Sequence, residues 1–237
     1  MPARILIAGL LISAAAMHAQ NSPPKPTQGI TRATLVLPMP GAPLSAEITE
    51  ERITKLPDGT STTEVITSKA YRDGTGRLRT EMDIASPSGP SAAVSIYNMP
   101  DGFMAIMVPV EKIAGRFQFP NEDRSKMGFG YGSPGPAITA PGKRTYKTED
   151  LGSQTIDGIE YQGNRTTTTV EGQPSIVAVE EEWHAPDGLI GLIKSTGPDL
   201  QVTAKLHILD RSDPDPRLFE IPPDYTIQEL TDDRPPR

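Results

Sequence analysis

The sequence contains no cysteine, and this absence removes several classes of chemistry. Disulfide bonds, thiol nucleophiles and thiolate metal sites are all excluded. A domain of this size can bury enough apolar core without covalent staples, so the lack of disulfides is no obstacle to folding even outside the cytoplasm.

Aromatic residues are also scarce, at 5% of the chain with a single Trp, whereas Pro and Gly number 25 and 21. Acidic pairs of the kind that glycosidases use are plentiful, but nothing singles one pair out. Because sugar-binding sites are generally richer in aromatic side chains, the composition does not favour a glycosidase.

Basic residues are outnumbered, with 23 Lys and Arg against 30 Asp and Glu and a net charge of −7. An acidic protein is poorly suited to binding nucleic acid or anionic membrane through bulk charge. We therefore expect no nucleic-acid partner.

The one long apolar run lies at the N-terminus, in the order that is typical of a secretory signal. Arg4 provides the positive charge, residues 5–12 are apolar apart from Gly9, and three alanines follow. The run is shorter than the about 20 residues that a membrane-spanning helix needs. We predict a signal peptide over 1–19, cleaved after Ala19 or alternatively after Ala16, and an exported protein, periplasmic or secreted, without a transmembrane span.

The rest of the chain divides by composition. Residues 20–43 form a Pro-rich N-terminal linker with one short strand over 33–37, and residues 231–237 form a disordered tail. Between them, 44–230 is predicted to be a single β-rich domain that contains a long Gly- and Pro-rich loop at 120–145.

Five Asp-Gly dipeptides within this domain predict hairpin turns of type I′, in which both central residues have positive φ. They begin at Asp58, Asp73, Asp101, Asp157 and Asp187. Further strands are expected at 44–56, 94–98, 103–109, 188–195 and 201–211, and a short helical turn is expected at 215–219.

The hairpin around Asp73 tests the register of two strands. With Arg72 opposite Arg77, the apolar side chains of both strands share one face. That face contains Tyr71, Leu78, Met82 and Ile84. The charged residues Arg77, Arg79 and Glu81 lie on the other face, as a solvated surface or as a ligand site.

A second hairpin is predicted over 159–170 and 175–184, with Trp183 in the core and Glu181 on the same face. Pairing across its turn brings Arg165 close to Glu181, and we predict a structural ion pair because a buried carboxylate needs a cationic partner. In the alternative register, shifted by one residue, both groups lie in water.

No catalytic, cofactor-binding or metal-binding motif is recognisable. The Gly-x-Ser-x-Gly elbow is missing, and the glycines at 128–132 are not followed by a helix or by a phosphate-binding lysine. Glu180, Glu182 and His184 share one face of a strand and could bind a metal weakly, although zinc usually takes three or four well-placed ligands. His207 lies on the polar face of its strand and is predicted to be at the surface.

Three segments together resemble an uncharacterised family of exported bacterial proteins. They are Tyr71–Glu81 (YRDGTGRLRTE), Leu151–Ile159 (LGSQTIDGI) and Pro214–Tyr225 (PDPRLFEIPPDY). No functional residue follows from this resemblance, because the family has no known activity.

The strand order and the closing Asp-x-x-x-Phe-x-x-Pro-x-x-Tyr pattern are similar, more distantly, to the periplasmic lipoprotein carriers and related envelope-stress sensors. That similarity implies a curved half-barrel that wraps a lipid or a partner's segment. The fold class that we predict is all-β, a single curved antiparallel sheet or half-barrel of hairpins with little helix. The carriers' helices have no counterpart in this sequence.

Three functions remain open at this point. The first is binding of an acyl chain or a partner's apolar segment on a concave face without cofactor, where the strand 103–109 would join Tyr71, Leu78, Met82, Ile84 and Trp183. The second is a structural or protein-interaction module that uses the 120–145 loop. The third is a hydrolase, for which His184 and Glu181 are the candidates.

Overall fold

The protein forms one open, curved sheet of twelve strands in a computed structural model that describes residues 35–86, 89–119 and 142–230. The strands in chain order are β1 (Leu44–Lys55), β2 (Ser61–Arg72), β3 (Leu78–Ser86), β4 (Gly89–Asn98), β5 (Phe103–Val108), β6 (Ile113–Gln118), β7 (Arg144–Ile156), β8 (Ile159–Val170), β9 (Gln173–His184), β10 (Ile190–Thr196), β11 (Leu200–Asp210) and β12 (Thr226–Leu230). Across the sheet their order is β12-β6-β5-β4-β3-β2-β1-β11-β10-β9-β8-β7. The all-β, curved-sheet prediction is confirmed.

Neighbouring strands are antiparallel except at one edge, where β12 runs parallel to β6. The chain reaches that edge through a short 3-10 helix, Pro216–Phe219, which contacts β3 and β4. Asp215 caps the helix by accepting a hydrogen bond from the backbone N–H of Arg217 at 3.0 Å. The sheet is therefore mixed rather than purely antiparallel, and the helical turn at 215–219 is confirmed.

All five Asp-Gly dipeptides lie in the connection between two consecutive strands. Only Asp157-Gly158 has positive φ at both residues, 51° and 79°, as a type I′ turn requires. At the other four sites the aspartate keeps a negative φ, so the hairpins are where we predicted them but the turn type was wrong.

The register of the β2–β3 hairpin differs from the prediction by one residue. Arg72 pairs with Leu78 rather than Arg77, and Tyr71 pairs with Arg79. The loop is one residue longer than assumed, because Asp73 N–H donates to Arg77 O at 3.1 Å, which keeps Arg77 in the loop, and Gly76 takes the positive φ of 90°. A shift of one residue in this register places every side chain of β2 on the opposite face relative to the side chains of β3.

Three strands escaped prediction. Gly115 and Arg116 interrupt the apolar alternation of β6, β7 is rich in Thr and charge, and β12 is only five residues long. The short strand predicted over 33–37 is also wrong in the part that the structure describes, since residues 35–37 are buried without belonging to the sheet.

The two faces of the central strands differ sharply. On β1 and β11 the side chains of Ala46, Ile48, Ala204 and Leu206 are buried, and all four lie on one face of the sheet. We call this the inner face. The residues between them, such as Thr49 and Lys205, are exposed and define the outer face. The alternation predicted for 202–208 is confirmed.

A second core lies on the outer face of β4, β5 and β6. It consists of Val94, Ile96, Ala105, Met107 and Ala114. Ile221 and Tyr225, which follow the 3-10 helix, pack against it. The C-terminal segment therefore covers the outer face of these three strands.

Residues 35–43 pack against the sheet although their composition suggested a linker. Leu35 and Val36 are buried, and Leu35 O accepts a hydrogen bond from Ile190 N–H at 3.0 Å. Ala42 O accepts a hydrogen bond from the fully buried Arg72 at 2.9 Å.

Within the described ranges, no helix is long and apolar enough to cross a membrane.

Candidate functional site

Half-buried apolar side chains form a band on the inner face of β3, β5, β6 and β12, and between β3 and β5 the intervening β4 contributes Ala93 and Ser95. Paired positions connect Met104 to Phe117 and Phe117 to Leu230 in one row, and Val108 to Ile113 in another. We call this band the apolar stripe; its members are Met82, Met104, Ile106, Val108, Ile113, Phe117 and Leu230.

The sequence of β5, FMAIMV, explains why the stripe forms here. A strand with one solvated face alternates apolar and polar residues, whereas a strand covered on both faces is apolar throughout. Ala105 and Met107 are buried under the C-terminal segment, but Met104, Ile106 and Val108 on the inner face remain half-exposed. β5 therefore has the composition of a strand that is covered on both faces, but its inner face still presents apolar surface to a ligand.

Farther along the strands the inner face becomes polar. Glu50 and Arg52 on β1 are 3% and 2% exposed, and the Arg52 guanidinium donates a hydrogen bond to Glu50. Arg52 pairs with Val202, which pairs with the buried Ser195, and Ser195 pairs with Glu180. Polar side chains thus recur along this row on β1, β10 and β9, with the apolar Val202 of β11 between them, outside the stripe.

Glu180 has the most altered acidity in this polar region. Burial, and then the neighbouring Glu182 carboxylate, raise the pKa of Glu180 to about 7. His184 Nε2 lies 3.0 Å from Glu182 Oε2, so two of the three residues considered for a metal are engaged with each other. No group of three His, Asp or Glu side chains that could hold a metal occurs in the part of the chain that the structure describes.

The five residues predicted to bind an apolar ligand are divided between the two faces. Leu78 and Met82 lie on the inner face, Leu78 fully buried and Met82 in the stripe, and Ile84 lies two positions farther along β3. Tyr71 and Trp183 belong to the outer face. Tyr71 pairs with Ser45 and Arg79, which point away from the inner face. Trp183 pairs with Leu192, and Leu192 pairs with Lys205, which defines the outer face. The register slip in β2 accounts for Tyr71.

Sequence reasoning found β5 but missed the other half of the stripe. Ile113 and Phe117 belong to β6, and Leu230 belongs to β12, neither of which was predicted. Gly115 lies beside Leu230, with 3.1 Å between a Cβ built at this position and Leu230 Cδ1, but nothing in the local sequence marks this contact.

The outer face of β7 to β10 holds a row of alternating charges. Arg165 lies opposite Glu181 and donates two hydrogen bonds to Glu181 Oε1, from Nε at 2.9 Å and from a terminal nitrogen at 2.6 Å. Glu149 is the next residue beyond Arg165, and Lys194 is the next beyond Glu181. We call Glu149, Arg165, Glu181 and Lys194 the charge ladder.

No protein-family model matches the sequence, and no curated protein matches it either. Solved structures are distantly similar to it and belong to lipoprotein-carrier-like half-barrels. Mycobacterium tuberculosis lipoprotein LppX is 12% identical over 73% of this chain and 90% of its own, with a TM-score of 0.33. A LolA superfamily protein from Nitrosomonas europaea is 9% identical over 77% and 91%, with a TM-score of 0.34. A putative outer membrane lipoprotein-sorting protein domain from Vibrio parahaemolyticus is 11% identical over 71% and 87%, with a TM-score of 0.28.

Proposed function

We propose that the protein binds an apolar ligand, an acyl chain or the apolar segment of a partner, on the inner face of its sheet. The apolar stripe carries this proposal. Its side chains are partly exposed, and those on β5 and β6 belong to strands whose outer face is already buried by the C-terminal segment. Apolar surface of this kind marks a binding site more often than a solvated face.

The chemistry of the stripe fits a ligand without charge along its length. No member of the stripe carries a charge, and the buried Glu50 and Arg52 lie farther along the strands, on β1. Covering roughly 200 Å² of apolar surface stabilises a complex by about 5 kcal/mol before the costs of association. Because association itself costs about 4 kcal/mol or more, a ligand has to cover more area than this, as an acyl chain that reaches across β3 to β12 can.

The proposed location is outside the cytoplasm, where the predicted signal over 1–19 would direct the chain. This signal lies outside the described residues, as does most of the 120–145 loop that an interaction module would use.

The hydrolase alternative loses its candidate pair, because His184 and Glu181 lie on opposite faces of β9. Binding without catalysis is accordingly the function that we infer.

The test is titration of the purified protein with a fluorescent fatty acid. Met104→Glu and Ile106→Glu place a charge in the stripe, and we expect each to weaken binding at least about tenfold because the carboxylate must be desolvated. Val65→Glu makes the same change on the outer face of β2, where Val65 is 62% exposed, and should leave binding unchanged.

Folding must be separated from binding in this experiment. Circular dichroism and thermal unfolding of each variant serve this purpose, and Met104→Gln offers a milder change if a glutamate variant fails to fold. Equal affinities for all folded variants would contradict the proposal.

A further inference from the structure

We propose that two copies of this chain associate edge to edge through β7, with the two strands antiparallel and centred on Thr148. The proposal concerns a surface that apolar ligand binding does not use, since the stripe lies at the other end of the sheet.

Strand β7 has the properties of an available edge. It is 13 residues long and ends the sheet, and within the described ranges its only neighbouring strand is β8. Residues 144–148 are exposed, and Tyr146 keeps 64% of its surface accessible. A long exposed edge is a template for another strand.

The charges of β7 identify a second copy as the strand that fits. Lys147 and Glu149 lie one residue before and one residue after Thr148. In an antiparallel pair centred on Thr148, Lys147 of each copy therefore faces Glu149 of the other. Charged side chains on an edge strand usually oppose association. Opposite charges that face each other across two strands favour it, and this strand presents such a pair to a second copy of itself.

The charge ladder continues through the proposed contact. From the interior of the sheet outward it alternates as Lys194, Glu181, Arg165 and Glu149, so the next strand needs a positive charge opposite Glu149. Lys147 of a second copy occupies that position. Lys147 Nζ donates to Glu149 Oε1 of its own chain at 2.8 Å, and association exchanges this contact between copies.

A β-bulge limits the length of the pairing. The register of β7 shifts between Asp150 and Gly152, where Gly152 has φ 73° and its N–H donates to Asp150 Oδ1 at 2.8 Å. Regular pairing thus extends from Tyr146 to Asp150 in each copy. A contact this short gives a weak dimer that forms at high concentration and dissociates as salt rises.

Sedimentation equilibrium of the full chain tests the proposal, over a wide concentration range at low salt. We expect self-association of the wild type, and an at least roughly tenfold weaker association of Lys147→Glu, because two pairs of glutamates then oppose each other. The double variant Lys147→Glu/Glu149→Lys restores opposite charges across the axis and should restore association. Lys205→Glu changes net charge equally, on the exposed outer face of β11 and outside the charge ladder, and should have no effect.

Three outcomes would overturn the proposal: a wild type that stays monomeric throughout the range, a double variant that associates no better than Lys147→Glu, or equal effects of Lys147→Glu and Lys205→Glu. Binding of fatty acid by the same samples is measured independently, so failure of the dimer is distinguishable from failure of the proposed function.

Discussion

The indole ring of Trp183 lies directly on Gly163 of the adjacent strand. A Cβ built on Gly163 would meet Trp183 Cζ3 at 2.6 Å. Tyr161 covers Gly191 in the same way, with its ring carbon Cε1 2.5 Å from the position of a Cβ. Glycine within a strand often marks such a close approach, and here it lets the outer face of β8 to β10 bury two large rings.

Gly163→Ala should therefore destabilise the fold. The buried indole, only 8% exposed, must shift to admit a methyl group, which costs about 1–3 kcal/mol. The free energy of unfolding in urea measures the effect. Gly115→Ala is the matched control, since it meets only the tip of the flexible Leu230 side chain at 3.1 Å and should cost much less. Equal losses would show that the Trp183 contact is not special.

The buried pair of Glu50 and Arg52 leads to a second prediction. Glu50→Leu leaves a guanidinium in the protein interior without its carboxylate, and should cost about 3–5 kcal/mol. Replacing both, as Glu50→Leu/Arg52→Met, should cost less than the sum of the two single changes, because no buried charge remains. A double-mutant cycle in urea measures this coupling, and strictly additive losses would contradict a direct interaction.

Glu180 should make the stability depend on pH. Its pKa in the folded protein is about 7, above the ordinary 4.5, so folding favours the protonated form. Its contribution is therefore fully present below pH 4.5 and is lost as pH rises through 7. After allowance for solvent screening we expect a loss of about 1–2 kcal/mol. Glu180→Gln should flatten the stability profile between pH 5 and 8, and an unchanged slope would refute the assignment.

Asp73 organises the β2–β3 loop. Its carboxylate accepts hydrogen bonds from Thr75 N–H, Thr75 Oγ1 and Arg77 N–H, and from the Arg77 guanidinium at 2.6 Å. Burial opposes ionisation, but the hydrogen bonds from Arg77 and Thr75 prevail and lower its pKa. Asp73→Asn should cost about 1–3 kcal/mol at neutral pH.

The Asp73 contribution also has a defined pH window. Because the pKa is lowered in the folded state, the stabilisation is present above the ordinary value of 3.8 and is lost as pH falls through the folded value. Asp58→Asn alters the fully exposed aspartate of another Asp-Gly turn and should have a smaller effect. Urea unfolding near pH 7 and near pH 3 compares the two variants.

The turns and the central strands were predictable because short-range chemistry determines them. Asp-Gly marks the hairpin connections, and the alternation of Val202, Ala204 and Leu206 identifies a buried face. The β2–β3 register was not predictable from the same pattern. It places Arg72 inside the protein, where its guanidinium donates hydrogen bonds to Ala42 O. A rule that keeps charge outside therefore selects the wrong alignment.

The candidate site was predictable only in part, and for a related reason. Met104, Ile106 and Val108 lie in a strand that the apolar run of β5 predicts. Phe117 and Leu230 join them through the pairing of β6 with β12, a parallel contact between segments about 110 residues apart in the chain, which no local pattern reports.

The central claim is that the inner face holds an apolar ligand, and native mass spectrometry with lipid extraction tests it most directly. The protein is purified from its own host and compared with its Ile106→Glu variant. We predict a co-purifying acyl-chain mass on the wild type that the variant loses. A wild type that carries no such mass and takes up no fluorescent fatty acid would contradict the account.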